Sequence, residues 1–259
     1  MLAFFSEAYR YRGLVAALVT RHLAARYRGS VLGFLWSFLN PLCLMLVYTL
    51  VFRYYVRFDS VDNYTIFLFC GLLPWIWLSS GLIEGTSSIV ASGSLITKSL
   101  FPAHLLPIVS VLTAMIHFVL SLPLLFLFML IAGLPFHLTL FLLPLVVLAQ
   151  FLILCGLCLA LSALNVYFRD VQHVVANVLN LLFFLCPIIY PLTSVPDRFQ
   201  FTMVYNPFAV LTTMYQQVVL EGVFPSLFGI AFVFLFSLVV LSVGIAIFDR
   251  HREGFAELL

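Results

Sequence analysis

The chain has 259 residues, of which 64% are hydrophobic and only 8% charged, twelve Lys and Arg against ten Asp and Glu. Soluble domains carry roughly 45–50% apolar and roughly 25% charged residues, so these charges are too few to cover a water-facing surface of this size. A soluble globular enzyme and a disordered chain are both excluded, which leaves a polytopic membrane protein.

The first segment in chain order is Ser6–Ser30, basic and too interrupted to cross a bilayer. On a helix, Arg10, Arg21 and Arg28 fall on one face, with Arg12 and Arg26 nearly opposite. It reads as an interfacial helix whose arginines reach lipid headgroups, and equally as a docking surface for a cytoplasmic partner or an anionic substrate headgroup. No cleavable leader is expected, because Arg10, Arg12 and Arg21 interrupt the first apolar stretch.

Six stretches then have the roughly 20 apolar residues a membrane helix needs: Val31–Phe52, Tyr64–Ile83, Leu105–Ile131, Leu138–Leu164, Val174–Leu192 and Val223–Phe248. Pro41, Pro74, Pro123, Pro144 and Pro187 lie within them, which membrane helices tolerate when neighbours satisfy the freed carbonyls. Continuous apolar runs exclude a β-barrel. With six spans, one side holds Arg10, Arg12, Arg21, Arg26, Arg28, Lys98, Arg169, Arg250 and Arg252, and the other holds Arg53, Arg57 and Arg198. That bias puts both termini in the cytoplasm.

Polar residues inside the spans mark candidate pathway walls. His173, Asn177, Asn180 and Phe184 share one face of span five. Span one carries Ser37, Pro41, Leu44, Tyr48 and Tyr55 on a stripe, with Trp36 and Asn40 adjacent. Interhelical hydrogen bonding is the simpler use of such Asn residues. The patterns Gly29-x-x-x-Gly33 and Gly81-x-x-x-Gly85 permit close helix contact, and Glu84 is a packing or gate acid or an exposed helix-end acid.

Two connections stand out. Asn165–His173 is a short cytoplasmic link in which Tyr167, Phe168, Arg169 and Asp170 form an aromatic and charged knob, suited to a groove on another protein or merely a solvated turn. Thr193–Gly222 is too short for two spans and too apolar for an ordinary loop; Pro196 and Asn206-Pro207 divide it into two half-length helices. It reads as a re-entrant outer hairpin or an amphipathic cap.

Chemistry of its own is missing. Gly93–Ser99 lacks the second glycine of a phosphate-binding loop and follows no strand. The six histidines have no zinc spacing, and Cys155-Gly-Leu-Cys158 lies in mid-span without a second ligand pair, like Cys43, Cys70 and Cys186 a thiol in apolar surroundings. No nucleophile elbow or buried acidic relay is found. A wet pathway without an energy source implies that another subunit supplies it.

Arg26-Tyr-Arg-Gly-Ser-Val-Leu-Gly-Phe-Leu-Trp-Ser-Phe-Leu-Asn-Pro-Leu42, Ile96–Pro107, Tyr167–His173, Pro187-Ile-Ile-Tyr-Pro191 and Tyr205-Asn-Pro207 resemble, in this order, blocks of the ABC-2 type permeases that export cell-surface polysaccharides. Ala103 departs from the basic residue expected after Phe101-Pro102; His104 follows it. The resemblance implies an all-α protein with six transmembrane helices, a cytoplasmic interface helix and a re-entrant outer hairpin, forming one domain over residues 1–259. It implies a homodimer in the bacterial inner membrane with two cytoplasmic ATPase subunits, which hold ATP and Mg; this chain binds no cofactor or metal. The cargo would be a polysaccharide on undecaprenyl pyrophosphate, O antigen before capsule; no nucleic acid partner is expected. Tyr167, Phe168, Arg169 and Asp170 would couple to the ATPase, and Arg21, Arg26 and Arg28 would meet the headgroup. Trp36, Asn40, Tyr48, Asn177, Asn180, Phe184 and Tyr190 would line the channel, and Tyr205, Asn206 and Tyr215 would form the outer gate. The alternatives are an ABC-2 permease for teichoic acid, lipid or drug, and an integral membrane enzyme of glycan or lipid synthesis.

Overall fold

The computed structural model describes residues 9–55, 61, 63–98 and 101–259, apart from the side chains at 34, 97, 98, 256 and 257. Residues 6–8 of the expected basic segment, Arg57 and the Lys98 side chain lie outside the described residues. Every regular element among the described residues is helical.

Helix α1 (Arg12–Tyr27) buries Leu18 and Val19 and leaves its arginines exposed, as an interfacial helix should. An elbow follows, where Gly29 and Gly33 take φ of 78° and 49°. A Cβ at either would meet nothing within 4 Å, so this pair serves a turn and not the helix contact its spacing permits. The elbow also moves the start of α2 from the expected Val31 to Trp36. Helix α2 (Trp36–Tyr48) continues as a π-helical stretch, Thr49–Tyr55.

The centre of the fold is α3 (Tyr64–Ala91), enclosed by the other helices and buried along most of its length. It runs beyond the expected end at Ile83, because Thr86, Ser87 and Ser88 turn their hydroxyls onto the carbonyls of Leu82, Ile83 and Gly85. After α4 (Gly93–Lys98), α5 (Leu105–Ile131) packs along α3. A 3-10 turn (Leu138–Leu142) leads into α6 (Leu143–Tyr167), with Pro144 harmless in its first turn.

Helix α7 (Val171–Phe184) has only 14 residues, where the sequence suggested a span over Val174–Leu192. At about 1.5 Å per residue it reaches about 21 Å, short of the roughly 30 Å hydrocarbon core. The chain unwinds at Leu185, two residues before Pro187. Among the described residues, five helices are therefore long and apolar enough to cross a membrane: Trp36–Tyr55, Tyr64–Ala91, Leu105–Ile131, Leu138–Tyr167 and Leu227–Gly254.

Between α7 and the last of these come two half-length helices, α8 (Asp197–Val204) and α9 (Pro207–Gln216), the latter prolonged by a π-helical turn, Gln217–Glu221. The division at Asn206-Pro207 is where the sequence placed it. Gly222, at φ 67°, ends the pair. Helix α10 (Leu227–His251) starts after the expected Val223, with Ser226 Oγ accepting from the Gly229 amide at 3.0 Å, and α11 (Phe255–Leu258) closes the chain.

Close packing depends on glycine at two crossings. A Cβ on Gly156 of α6 would fall 2.6 Å from the Leu241 backbone of α10, and one on Gly244 would strike the Gly156 carbonyl. A Cβ on Gly85 would strike Cys158, whose thiol donates to the Gly81 carbonyl at 3.3 Å. The Cys-x-x-Cys pair is thus helix-packing material. Gly81 itself meets its neighbours at an ordinary 3.7 Å.

The ends of the bundle sort by charge. Arg26 pairs with Glu84, Tyr167 bonds the His251 carbonyl and α11 packs on α4, so these positions share one end. That end carries the arginines of α1 with Arg169, Arg250 and Arg252, whereas Arg53 and Arg198 belong to the opposite end.

Candidate functional site

Helix α7 divides cleanly into two faces. Val175, Leu179 and Phe183 are buried, while His173, Asn177, Asn180 and Phe184 form an exposed stripe. Among the described residues, neither the Asn177 nor the Asn180 amide makes a hydrogen bond within one copy of the chain. Helix α2 has a matching exposed face of Trp36, Asn40, Cys43, Val47, Leu50 and Tyr54. The expected stripe of Ser37, Pro41, Leu44, Tyr48 and Tyr55 does not act as one. Ser37 and Pro41 are buried, Leu44 and Tyr55 are exposed, and Tyr48 lies half-buried, stacked on Phe183 at 5.8 Å. That stack joins α2 to α7.

The unwound chain after α7 is held by side chains aimed at its carbonyls. Tyr190 Oη donates to Phe184 O at 2.7 Å, Asn206 Nδ2 to Leu185 O at 3.1 Å, Gln216 Nε2 to Pro187 O at 2.8 Å and Tyr64 Oη to Ile189 O at 2.8 Å. The Cys186 carbonyl accepts from the Ile188 amide at 2.8 Å. Non-helical backbone away from water requires this kind of satisfaction. Tyr190 and Asn206, expected to line the channel and the gate, therefore have work inside the chain. Asn206 also caps α9, accepting from the Phe208 amide at 3.0 Å. Tyr205 is 69% exposed. Tyr215 is placed differently from the outer-gate expectation: it is buried, its ring edge-on to Phe118 at 6.0 Å, because α9 turns that face onto α3 and α5.

At the basic end, Arg26 Nη1 lies 3.0 Å from Glu84 Oε1 and ties α1 to α3. Arg21 and Arg28 are exposed. Beside this pair is a cavity of about 230 Å³ with mixed polar and apolar walls, bounded by the α1–α2 elbow, α3 and α5, with Arg26, Trp36, Asn40, Ser80 and His117 among them. Tyr27 Oη, Ser37 Oγ and His117 Nδ1 form a hydrogen-bonded cluster, with His117 3.2 Å from Tyr27 and 3.1 Å from Ser37. His104, beside the missing basic residue at Ala103, is buried with its ring edge-on to Phe248, and so presents no surface cation in its place.

Helix α6 runs through Asn165–Tyr167, so the link expected over Asn165–His173 shrinks to Phe168–Asp170. Tyr167 turns back, donating to His251 O at 3.2 Å with its ring 5.2 Å from the His251 ring. Phe168 is 66% exposed, with Arg169 and Asp170 exposed beside it. Among the described residues no group of three or more His, Cys, Asp or Glu side chains is placed to hold a metal ion.

The family model described as ABC-2 type transporter matches residues 13–220, most of the chain, from α1 through α9. The chain belongs to the ABC-2 type transporter family. An O-antigen export system permease protein, RfbA, of Myxococcus xanthus is 43% identical over 99% of both chains. A permease of the same name from Klebsiella pneumoniae is 30% identical over 95% of each, and the polysialic acid transport protein KpsM of Escherichia coli is 26% identical over 93% of this chain and 94% of its own.

For this ABC-2 chain, the sequence reading missed three groups. Gln216 and Tyr64 carry no motif, and only their distance from Pro187 and Ile189 in the fold reveals them as carbonyl donors. His117 is one of a few scattered polar residues in a long apolar run, and its partners are 80 and 90 residues away in sequence. The Arg26–Glu84 pair spans 58 residues; a basic residue before span one and an acid at the end of span two were its only signals.

Proposed function

We propose that the chain is the membrane subunit of an ATP-driven exporter of a lipid-linked cell-surface polysaccharide, O antigen in the first place, across the bacterial inner membrane. The observation that carries this reading is the end-to-end similarity to O-antigen export permeases, 43% identity over 99% of both chains. Capsular polysaccharide is the second reading, favoured by the more distant polysialic acid transport protein.

Two copies of the chain assemble. The exposed faces of α2 and α7 carry aromatic rings and amides that make no hydrogen bond among the described residues of one copy, and a second copy closes them into a conduit. Sugars present apolar C–H faces and polar hydroxyl edges; Trp36 and Phe184 meet the former, Asn40, Asn177 and Asn180 the latter. Helix α7 with the carbonyl-pinned segment after it completes the sixth crossing. Both termini then lie in the cytoplasm, and the α8–α9 pair enters the outer leaflet as a re-entrant gate with Tyr205 at its turn.

Hydrolysis takes place on two cytoplasmic ATPase subunits, which hold ATP and Mg. Phe168, Arg169 and Asp170 seat in the ATPase, and Arg21, Arg26 and Arg28 attract the pyrophosphate of an undecaprenyl carrier through charge-assisted hydrogen bonds. Deleting the coding sequence tests the reading. Surface polysaccharide should disappear while lipid-linked polymer accumulates inside, and an unchanged surface polymer would contradict it.

A further inference from the structure

The cavity between the α1–α2 elbow, α3 and α5 holds more hydrogen-bonding capacity than the fold consumes. His117 spends Nδ1 on Tyr27 and Ser37, yet its Nε2 is buried with no partner. The Asn40 amide and the Trp36 indole N–H line the same cavity and hydrogen-bond to nothing among the described residues. Ser80 Oγ donates to Ile76 O at 2.7 Å and keeps its lone pairs free. Leaving a buried ring nitrogen unpartnered is costly, so such a group calls for a ligand or water.

The occupant is constrained by size and by chemistry. At about 230 Å³ the space falls below the roughly 300–1,000 Å³ of sites for drug-sized ligands, so it takes one small ring and not an oligosaccharide. The walls combine aromatic surface, at Trp36, Trp77 and Phe118, with neutral donors and acceptors, at Asn40, Ser80 and His117. Neutral hydrogen-bonding edges beside aromatic faces match a pyranose. Arg26 stands among the walls with one guanidinium nitrogen on Glu84 and the rest of its fork unspent, where an anion attached to that ring would sit.

We infer that this cavity binds a single sugar residue, the one next to the phosphate of the lipid-linked cargo. The inference rests on the polysaccharide-export reading and adds to it a place where the chain reads the first sugar before the polymer enters the conduit. It makes Asn40 and His117 sugar-contacting residues, with Trp36 as the stacking platform.

The test is calorimetric titration of the purified complex of this chain with its ATPase. The two probes are farnesyl pyrophosphate and farnesyl pyrophosphate whose terminal phosphate carries one hexose. The sugar-bearing probe should bind about three- to tenfold more tightly, a gain of one or two neutral hydrogen bonds. Asn40→Ala, at an exposed side chain that makes no hydrogen bond among the described residues, should erase the difference. His117→Ala is the harsher variant, because it also releases Tyr27 and Ser37. Equal affinities in the native complex, or a difference that survives Asn40→Ala, would overturn the sugar site alone. Failure of both probes to bind would overturn the lipid-linked cargo as well.

Discussion

Arg26 Nη1 lies 3.0 Å from Glu84 Oε1, joining α1 to α3, the central helix of the bundle. Both side chains are about two-fifths exposed, at 41% and 39%. A pair so hydrated contributes only about 0–1 kcal/mol to stability, so its value lies in fixing the position of α1 against α3. Glu84→Arg should therefore leave thermal unfolding within a few degrees of native while reducing export severalfold. The double exchange Arg26→Glu with Glu84→Arg should restore part of the loss, as measured by surface polysaccharide; no recovery would make the pair incidental.

The glycine crossing between α6 and α10 is the tightest in the molecule's core. Gly156→Ala puts a methyl carbon 2.6 Å from the Leu241 backbone, which cannot give as a flexible side chain would. Overpacking of this kind costs about 1–3 kcal/mol. Gly81→Ala, with neighbours at 3.7 Å, should be neutral. Thermal unfolding in detergent should separate the two variants clearly. Gly85→Ala belongs with Gly156→Ala, and adding Cys158→Ala should relieve only part of it, because the Cβ at 158 would still lie 2.9 Å away.

Cys43 is the only exposed cysteine of five; Cys70, Cys155, Cys158 and Cys186 are buried. It shares the face of Trp36, Asn40 and Val47. Water-soluble thiol reagents should label this one residue in the native assembly and block export, and Cys43→Ser should confer resistance. Labelling elsewhere, or labelling without effect on export, would remove that face from the conduit.

Phe168 and Tyr167 are neighbours with different tasks. Phe168→Ala combined with Asp170→Ala should abolish co-purification of the ATPase, because these side chains project freely. Tyr167→Phe loses only its bond to the His251 carbonyl and should retain the ATPase with a small loss of stability, about 0.5–1.5 kcal/mol.

Much of this was legible in the sequence for physical reasons. Apolar runs long enough to span a bilayer, helix-breaking Asn206-Pro207 and the charge bias are one-dimensional signals. The polar stripe from His173 to Phe184 is too, since helical periodicity alone puts it on one face. What escaped depends on distance in the fold. Tyr190 is an aromatic among apolar residues, and nothing local says its hydroxyl returns to the Phe184 carbonyl. Tyr215 sits in a segment divided by prolines, and only the packing of α9 onto α3 and α5 makes it a core residue. The helix expected to run to Leu192 stops at Phe184, because hydropathy counts apolar residues and not the backbone break before Pro187.

The most direct measurement of the central claim is ATP-dependent movement of lipid-linked polysaccharide across the membrane of proteoliposomes. The account predicts that this chain with its ATPase moves polymer from the ATP-exposed face to the other face, and that the chain alone moves none and hydrolyses no ATP. Movement by the chain alone, or ATP turnover by the full assembly without movement of polymer, would contradict it.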